Sequence, residues 1–459
     1  MSDYDLIVVG AGPSGYVAAI RAAQLGMNVV ILEKNEIGGV CLNWGCIPSK
    51  ALLRNAEVLS LFRRADEFGI EVENVKADYA KAVERSRHIV SRLTRGISSL
   101  LRKNKVDVLS SEARLVSSDK VAFNSGSDTI TAPRIILATG ARPRLIPGLL
   151  VDGERVVTSR EAIEQRDVPA HIVIVGGGSI AVEFATIYSS YGAQVTVVEM
   201  LSRLVPNEDE EISVQLKKTL TGRGISVLTG STVKGFVAAD NSYVKISDGN
   251  SVFELPCDRL LIAVGIEPNI DGLGLDEVGV GLDRGFVAVD NNMATTVPSI
   301  YAIGDLTGKL PLAHVGRAPG VVAVERMAGL DVPDLNYVDM PRATYSAPQI
   351  SSFGLTEQQA RDQGFELKVG RFPFRGNGKA LALGDYEGMV KIVSNANGDA
   401  VLGVHMIGAE VTELLGEASL IRLLQGSTEE LAWLVHPHPS LSEAIKEAAL
   451  AVEGRAIHM

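Results

Sequence analysis

Residues 6–33 read LIVVGAGPSGYVAAIRAAQLGMNVVILE, and this stretch decides the fold class. It begins with a β-branched run, continues through the glycine turn GAGPSG and a helix-like run from Tyr16 to Leu25, and ends in the apolar run NVVIL before Glu33. A strand, a GxGxxG turn, a helix and a second strand that ends at an acidic residue form a unit that binds dinucleotides. The sequence therefore predicts an α/β fold with a dinucleotide site at its first turn.

The three glycines of this turn have separate predicted roles. Gly10 permits the tight turn, Gly12 lets the backbone approach a pyrophosphate, and Gly15 allows close packing of the helix on the strand. The pyrophosphate then lies at the helix N-terminus, where backbone N–H groups and the helix dipole favour an anion. We expect Glu33 to accept hydrogen bonds from ribose hydroxyls.

Residues 171–199 repeat the pattern. The run HIVIV leads into GGGSIA, a helix-like run continues through Tyr188, and the run VTVV ends at Glu199, with Gly176, Gly178 and Ala181 in the turn. Two such units imply two nucleotides held at once, and one of them should be a flavin, because a second bound nucleotide needs an electron acceptor. The alternative is a duplication in which one site no longer binds.

The second unit carries opposing indications for its nucleotide. Ala181 stands where NAD-binding proteins usually have glycine, and alanine there often accompanies NADP. Glu199 points the other way, because a carboxylate favours free ribose hydroxyls and repels a 2′-phosphate. Nearby, Arg203 is a single cation and not a paired phosphate clamp. Charge at the contact should outweigh one methyl group, so we predict NAD.

Composition excludes several function classes. The 459 residues suggest about three domains at roughly 150 residues each. Lys plus Arg total 44 and Asp plus Glu total 55, so the net charge of −11 makes a poor general binder of nucleic acid or anionic membrane. No run of 18 apolar residues predicts a membrane span, and Asp3 and Asp5 differ from the basic start of a secretory signal. The expected location is the reducing cytoplasm.

A basic stretch at residues 81–105 is the one local exception to this acidic charge. It holds eight Lys or Arg and a single acid, Glu84. Its apolar residues recur at helical spacing, so it predicts one amphipathic helix with a solvated basic face and not a nucleic-acid site.

Cys41 and Cys46 enclose the sequence LNWG shortly after Glu33. Zinc is disfavoured because one pair is half a structural site and Cys257 is remote, so we predict no metal site. Five residues of regular helix rise roughly 7.5 Å, whereas a disulfide needs Cα atoms within about 7 Å. If the two cysteines bond, the backbone between them is irregular, and Gly45 supplies the freedom. A redox disulfide is favoured over two buried free thiols.

Three segments carry a resemblance to a known family. GGVCLNWGCIPSK at residues 38–50 resembles the redox-disulfide segment of the flavoprotein disulfide reductases. HPHPSLSE at residues 436–443 resembles their acid–base segment, and YAIGD at residues 301–305 is similar to another family motif. The similarity covers the whole chain. It is greatest to the branch that oxidises dihydrolipoamide, whose bacterial members typically end as residues 454–458 (GRAIH) do here.

The resemblance implies a domain order. It predicts two Rossmann-like dinucleotide-binding domains, for FAD at residues 1–145 and for NAD at residues 146–268. A central domain at residues 269–335 would complete the FAD site, and a C-terminal α+β dimerisation domain would span residues 336–459.

The family's catalytic roles transfer to four residues. Cys46 would face the flavin, and Cys41 would exchange with the dithiol substrate. His438 would be the acid–base and Glu443 would hold its ring. In this family the His–Glu pair reaches across a homodimer to the partner's disulfide, so the active sites would be shared. We interpret His436 as a packing or hydrogen-bonding residue.

The resemblance also assigns cofactor contacts. Lys50 and Glu183 would form an ion pair beside the flavin, Asp305 would bind the ribityl chain, and Val233 and Gly265 would line the nicotinamide-nucleotide site. The other FAD-site residues implied are Lys34, Gly39, Val40, Ala113, Thr139, Gly140, Ala313 and His314.

The implied reaction is oxidation of dihydrolipoamide, carried on an acyltransferase or carrier protein of a 2-oxoacid dehydrogenase or glycine cleavage complex, with reduction of NAD. The rival enzymes are glutathione-type and mercuric reductases of the same family. Mercuric reductases carry a C-terminal cysteine pair that Arg455 to Met459 lack, and Glu199 opposes the NADPH of glutathione reductases. A non-catalytic subunit of a multienzyme core is the alternative from another class.

Overall fold

The computed structural model describes residues 2–239 and 241–459. Its first sheet is parallel, in the order β20-β7-β1-β2-β3, where labels follow chain order. The central strand β1 is buried throughout, as expected of a parallel sheet covered on both faces. The strands of this sheet are β1 Leu6–Val9, β2 Val29–Leu32, β3 Asp107–Leu109, β7 Ile135–Leu137 and β20 Ile300–Ala302.

A second parallel sheet repeats this arrangement in the order β9-β16-β10-β11-β12. Both sheets place their first βαβ pair at the centre and receive a later strand, β7 or β16, on the other side of the first strand. The predicted repeat is therefore confirmed as a structural repeat. The strands are β9 Val156–Thr158, β10 His171–Val175, β11 Gln194–Glu199, β12 Ser226–Thr229 and β16 Arg259–Ile262.

Each unit also carries an antiparallel three-stranded sheet before its return strand. In the first unit these strands are β4 Arg114–Ser117, β5 Lys120–Phe123 and β6 Asp128–Thr131, and in the second β13 Thr232–Val237, β14 Tyr243–Ser247 and β15 Val252–Pro256. Two short pairs complete this part, namely β8 Ala141–Pro143 with β17 Ile266–Pro268 and β18 Leu282–Asp283 with β19 Phe286–Val287.

The C-terminal region forms a separate antiparallel sheet in the order β21-β22-β25-β24-β23. A hydrophobic cluster joins this sheet to three C-terminal helices, α12 (Val411–Leu423), α13 (Thr428–Trp433) and α14 (Glu443–Val452). This α+β arrangement agrees with the predicted fold class. The strands are β21 Arg342–Thr344, β22 Gln349–Gly354, β23 Leu367–Pro373, β24 Met389–Asn395 and β25 Val401–Gly408.

The helices follow the sequence patterns closely in the two nucleotide units. Asp78 caps the predicted basic helix, whose observed span is 79–103, by accepting a hydrogen bond from the backbone N–H of Lys81. The helices are α1 Pro13–Gln24, α2 Gly39–Asn43, α3 Cys46–Arg63, α4 Tyr79–Lys103, α5 Ser159–Ala162, α6 Ser179–Ser190, α7 Glu210–Gly222, α8 Leu275–Val278, α9 Ala313–Met327, α10 Glu357–Asp362, α11 Gly378–Leu383, α12 Val411–Leu423, α13 Thr428–Trp433 and α14 Glu443–Val452. Among the described residues no helix is long and apolar enough to cross a membrane.

Candidate active site

A cavity of about 620 Å³ extends along the carboxyl ends of both parallel sheets. Gly10 and Gly12 of the first turn line it, and so do Gly178 and Ser179 of the second. Strand carboxyl ends in α/β sheets are where such folds bind ligands. One continuous cavity thus contacts both predicted nucleotide turns.

The first turn has the geometry that its three glycines predict. Gly10 has φ +105°, and a Cβ there would lie 2.4 Å from the carbonyl oxygen of Ala138. A Cβ on Gly15 would lie 1.9 Å from the carbonyl oxygen of Gly10, so only glycine lets helix α1 pack this close to the turn. A Cβ on Gly12 would meet no atom of the described chain within 4 Å, which leaves the Gly12 backbone open to the cavity.

The acidic residue of each unit is bound to its own turn. Glu33 lines the cavity and accepts hydrogen bonds from the backbone N–H of Ala11 at 2.7 Å and of Asn35 at 2.9 Å. Glu199 accepts from the N–H groups of Gly177 and Leu201 in the same way, but it is buried and does not line the cavity. Each carboxylate therefore fixes the glycine turn, in addition to any ribose contact.

Most of the predicted site residues meet at this cavity. Those that line it are Gly10, Gly12, Glu33, Lys34, Gly39, Val40, Cys41, Cys46, Lys50, Ala113, Thr139, Gly140, Gly178, Glu183, Gly265, Asp305 and Ala313. Those that do not are Gly15, Gly176, Ala181, Glu199, Val233, His314, His438 and Glu443.

Three of the residues outside the cavity have a clear local reason. Ala181 is fully buried in the core between helix and sheet, so its methyl group is a packing feature. Val233 packs into the core of the second unit from strand β13. The ring of His314 is exposed and lies 2.6 Å from the carbonyl oxygen of Pro341, which turns it away from the cavity.

The two cysteines lie at a break between two helices. Helix α2 ends at Asn43, helix α3 begins at Cys46, and Gly45 has φ −125° and ψ −115° between them. The irregular backbone that a bond between these cysteines requires is therefore present. A Cβ on Gly45 would lie 2.8 Å from the carbonyl oxygen of Val40, so glycine is needed at the break.

The two thiols have opposite acidities. A hydrogen bond from the Cys41 thiol, assisted by the charge of Lys50 and opposed by burial and by Glu183, lowers the pKa of Cys46 to about 7. The same hydrogen bond, together with burial, raises the pKa of Cys41. The two cysteines are unbonded in this structure, and Cys46 is the more acidic of the two thiols.

Two charged groups, Lys50 and Asp305, line the same cavity as this pair. Lys50 lies one turn after Cys46 on helix α3, and its Nζ is 2.9 Å from both carboxylate oxygens of Glu183 on helix α6. Asp305 lines the cavity without an ion-pair partner among the described residues, and burial raises its pKa to about 6. No group of three or more His, Cys, Asp and Glu residues suited to a metal ion occurs in the described chain.

His438 and Glu443 form a pair on the protein surface. The Nδ1 of His438 is 3.0 Å from Oε1 of Glu443, whose other oxygen accepts from the backbone N–H of Ser440 at 2.9 Å. The His438 side chain is 79% exposed. By contrast, the ring of His436 is buried and lies 2.7 Å from Glu417, as expected of a hydrogen-bonding residue.

Comparison with protein families agrees with this arrangement. A model described as pyridine nucleotide-disulphide oxidoreductase matches residues 4–320. The chain belongs to the pyridine nucleotide-disulphide oxidoreductases. The dimerisation domain of the same family matches residues 340–449.

Similar members of this family include two named dihydrolipoyl dehydrogenase. The protein from Bacillus subtilis is 41% identical over 472 residues, covering 100% of this chain and 99% of its own. The protein from Mycobacterium leprae is 44% identical over 471 residues, covering 100% of both chains. Among solved structures, LpdA from Mycobacterium tuberculosis superposes with a TM-score of 0.90 at 28% identity, over 97% of this chain and 98% of that one.

The residues of this oxidoreductase fit the groups that the family name implies. The first turn leaves the Gly12 backbone open to the cavity at the start of helix α1, and the second does the same at Gly178 and helix α6. Open backbone at a helix N-terminus is the arrangement that a pyrophosphate requires, so each turn fits one. The cysteine pair lines the same cavity as both turns.

Two contacts at this site were not predicted from the sequence. Trp44, between the cysteines, lies under the guanidinium of Arg160 at 4.6 Å from the ring centroid. Tyr345 contributes its ring to Lys50 and its backbone N–H to Glu183. Both join residues far apart in the chain, and no local pattern marks either. For Trp44, the sequence showed only that an aromatic residue lies between the two cysteines, which does not predict its contact with Arg160.

Proposed function

We propose that this chain is an NAD-dependent dihydrolipoyl dehydrogenase, which oxidises dihydrolipoamide to lipoamide with FAD as cofactor and NAD as electron acceptor. The observation that carries the proposal is the pair Cys41 and Cys46, which a break between two helices places on the wall of the cavity, with Cys46 the more acidic thiol. The names of the full-length relatives support it.

The first unit would hold FAD and the second NAD. The proposed division is an FAD domain at residues 1–145, an NAD domain at 146–268, a central domain at 269–335 and a dimerisation domain at 336–459. Strand β20 of the central segment joins the first sheet, which supports its part in the FAD site. Bound FAD supplies a two-electron acceptor that can pass hydride to NAD.

The thiol chemistry then follows from the acidities. In the oxidised enzyme a substrate thiolate attacks the Cys41 sulfur, the Cys41–Cys46 bond breaks, and Cys46 leaves as a thiolate. Cys46 is the better leaving group because its thiol is the more acidic of the two. The second substrate thiol attacks the substrate sulfur bound to Cys41, which releases lipoamide and the Cys41 thiol. Of the two substrate protons, the base passes one to the Cys41 sulfur and releases the other.

We assign that base to His438 of a partner subunit. Within one chain the His438–Glu443 pair is exposed and lies outside the cavity that holds the cysteines. Large apolar side chains of the same C-terminal region are also exposed, among them Leu423, Leu424, Trp433 and Val435. A second copy of the chain would cover that surface and place His438 at the partner's cysteines. Glu443 fixes the ring tautomer and stabilises the imidazolium.

The proposed substrate is dihydrolipoamide on an acyltransferase or carrier protein of a 2-oxoacid dehydrogenase or glycine cleavage complex, and the proposed location is the cytoplasm. The rival functions are disulfide reduction of the glutathione type and reduction of mercuric ion. NAD remains the proposed nucleotide, because the carboxylate of Glu199 at the end of strand β11 keeps a negative charge beside the second turn, which would oppose a 2′-phosphate even though both of its oxygens accept backbone hydrogen bonds.

An activity assay with spectroscopy tests the proposal. The purified protein is expected to be yellow, to gain long-wavelength absorbance on partial reduction, and to reduce NAD with dihydrolipoamide far faster than it consumes NADH with glutathione disulfide or Hg²⁺. Equal or higher activity with glutathione disulfide or Hg²⁺ would contradict the proposal and favour the corresponding rival function. A colourless protein that binds no FAD would contradict it.

A further inference from the structure

The ion pair of Lys50 and Glu183 is enclosed by a third residue from the C-terminal region. Tyr345 directly follows strand β21, and its ring centroid lies 4.6 Å from Nζ of Lys50. The backbone N–H of Tyr345 donates to Oε1 of Glu183 at 2.9 Å. A cation at this distance over an aromatic face is attracted by the ring quadrupole.

The neighbouring backbone fixes the approach of this ring. The N–H of Ala347 donates to the hydroxyl of Thr186 at 3.3 Å, about one turn along helix α6 from Glu183. Tyr345 itself packs against the hydrophobic core that contains helix α6. The segment after strand β21 is therefore held to helix α6 at two successive points, and the ring has a fixed place over Lys50.

The ammonium group of Lys50 lies between two partners at the edge of the cavity. Its side chain is 33% exposed and lines the cavity, whereas that of Glu183 is 7% exposed, so the lysine end of the ion pair is the one that faces the cavity. Glu183 holds it from one side and Tyr345 covers another. The ammonium group of Lys50, one helical turn from Cys46, stabilises a thiolate there only while it is held close to the sulfur.

We propose that Tyr345 is a positioning residue of the redox centre, whose ring holds the ammonium of Lys50 where its charge stabilises the thiolate of Cys46. This inference rests on the proposed function and extends it, because it makes the C-terminal region part of the electrostatics of the cysteine pair. The charged and titratable groups that face Cys46 are Cys41 from helix α2, Lys50 from helix α3, Glu183 from helix α6 and the hydroxyl of Tyr345 itself, which Tyr345→Phe removes without removing the ring face. Tyr345 acts through Lys50 and does not itself react.

The test measures the thiolate directly. In a Cys41→Ser background, Cys46 is the one thiol left beside FAD, and its thiolate is followed by long-wavelength absorbance during a pH titration of the holoenzyme. Tyr345→Leu is expected to raise the midpoint of that titration by about 0.5 to 1 pH unit, within the range of a partly buried cation–π contact. Tyr345→Phe keeps the ring face and is expected to retain the parent midpoint.

A second substitution separates positioning from packing. In a Lys50→Met, Cys41→Ser background the titration midpoint of Cys46 is expected to be raised already, because the ammonium charge is gone. Adding Tyr345→Leu is then expected to raise it no further. The pair of residues then shows a coupling that two independent effects would not. Should Tyr345→Leu lose FAD through misfolding, Tyr345→Met replaces it, since Met fills similar space without a ring face.

Three outcomes overturn the inference. These are an unchanged midpoint in both Tyr345→Leu and Tyr345→Met, a shift of equal size in Tyr345→Phe, and a full further shift in the Lys50→Met background. Absence of long-wavelength absorbance at every pH in the Cys41→Ser parent contradicts the proposed function instead, because Cys46 would then not be at the flavin. The two failures are thus distinguishable in one set of spectra.

Discussion

The two nucleotide units of this chain share the same turn geometry but differ in what surrounds it. Gly10 and Gly176 have φ values of +105° and +109°, and a Cβ on either would lie 2.4 Å or 2.3 Å from a carbonyl oxygen of the return-strand segment. Both units bind their acidic residue to the backbone N–H groups of the turn. The common part is therefore the set of backbone positions that a pyrophosphate needs.

The differences lie at the third turn position and in the loop that follows the acid. The first unit has Gly15, where any side chain would meet the Gly10 carbonyl at 1.9 Å, whereas the second accommodates the buried methyl of Ala181. After Glu33 the chain enters the loop and helix that carry Cys41 and Cys46, but after Glu199 no cysteine follows until Cys257. Only the first unit is built to place thiols at a cofactor.

The largest expected effect separates thiol chemistry from nucleotide chemistry. Removing a general base typically costs a factor of about 10² to 10⁴ in rate, so His438→Gln is expected to lose dihydrolipoamide oxidation by that factor while it keeps FAD. Transfer of hydride from NADH to an artificial dye uses no dithiol and is expected to survive. The matched control is His436→Gln, which should lose much less. Loss of both activities together would show that the two units do not work separately.

Subunit mixing tests where that base acts. Inactive Cys41→Ser and inactive His438→Gln subunits are expected to regain activity when mixed, because one of the two sites in the heterodimer is then intact. No recovery, with heterodimers shown to be present, would place the whole site within one subunit.

The next prediction concerns the loop that distinguishes the first unit. Cys41→Ser leaves the acidic Cys46 and is expected to show long-wavelength absorbance, whereas Cys46→Ser is not. In the two-electron-reduced wild-type enzyme this absorbance should be present above about pH 7 and fall as the pH drops through the pKa of Cys46, because protonation removes the thiolate. Anaerobic spectra across pH 5.5–9, a range of about 3.5 units around that pKa, check both points. Reversed spectra for the two variants would exchange the roles of the cysteines.

These two regions also show how far sequence reasoning reaches. The constraint on Gly15 was predictable because it is local: a Cβ there would meet the carbonyl oxygen of Gly10, in the same turn, at 1.9 Å. The break at Gly45 was predictable for the same reason, from helix rise and disulfide geometry. Gly10 was predictable from the motif, although the atom that excludes a side chain there belongs to the distant Ala138. The placements of Tyr345 over Lys50 and of Arg160 over Trp44 depend on how distant segments pack. No period or motif in the sequence encodes such a contact.

A smaller effect tests the third turn position. Gly15→Ala places a methyl against a backbone oxygen that cannot move freely. We therefore expect the free energy of unfolding to decrease by about 1–3 kcal/mol or more, and FAD to be retained more weakly. Ala181→Gly in the second unit removes a methyl and adds freedom to the unfolded backbone, so we expect the free energy of unfolding to decrease by about 1 kcal/mol. Denaturant unfolding and FAD content measure both. Equal losses in the two variants would contradict the packing difference between the units.

The smallest expected effect concerns the nucleotide of the second unit. We expect kcat/KM for NAD to exceed that for NADP at least tenfold, which corresponds to only about 1.4 kcal/mol. Glu199→Gln is the substitution that tests this preference. Its amide oxygen can still accept one backbone hydrogen bond of the turn, whereas the charge that opposes a 2′-phosphate is lost. The ratio should then narrow. Glu33→Gln is the matched control, since it removes the corresponding charge from the first unit and should leave the ratio unchanged. A wild-type preference for NADP would show that the buried Glu199 serves the turn alone and that Ala181 was the better indication.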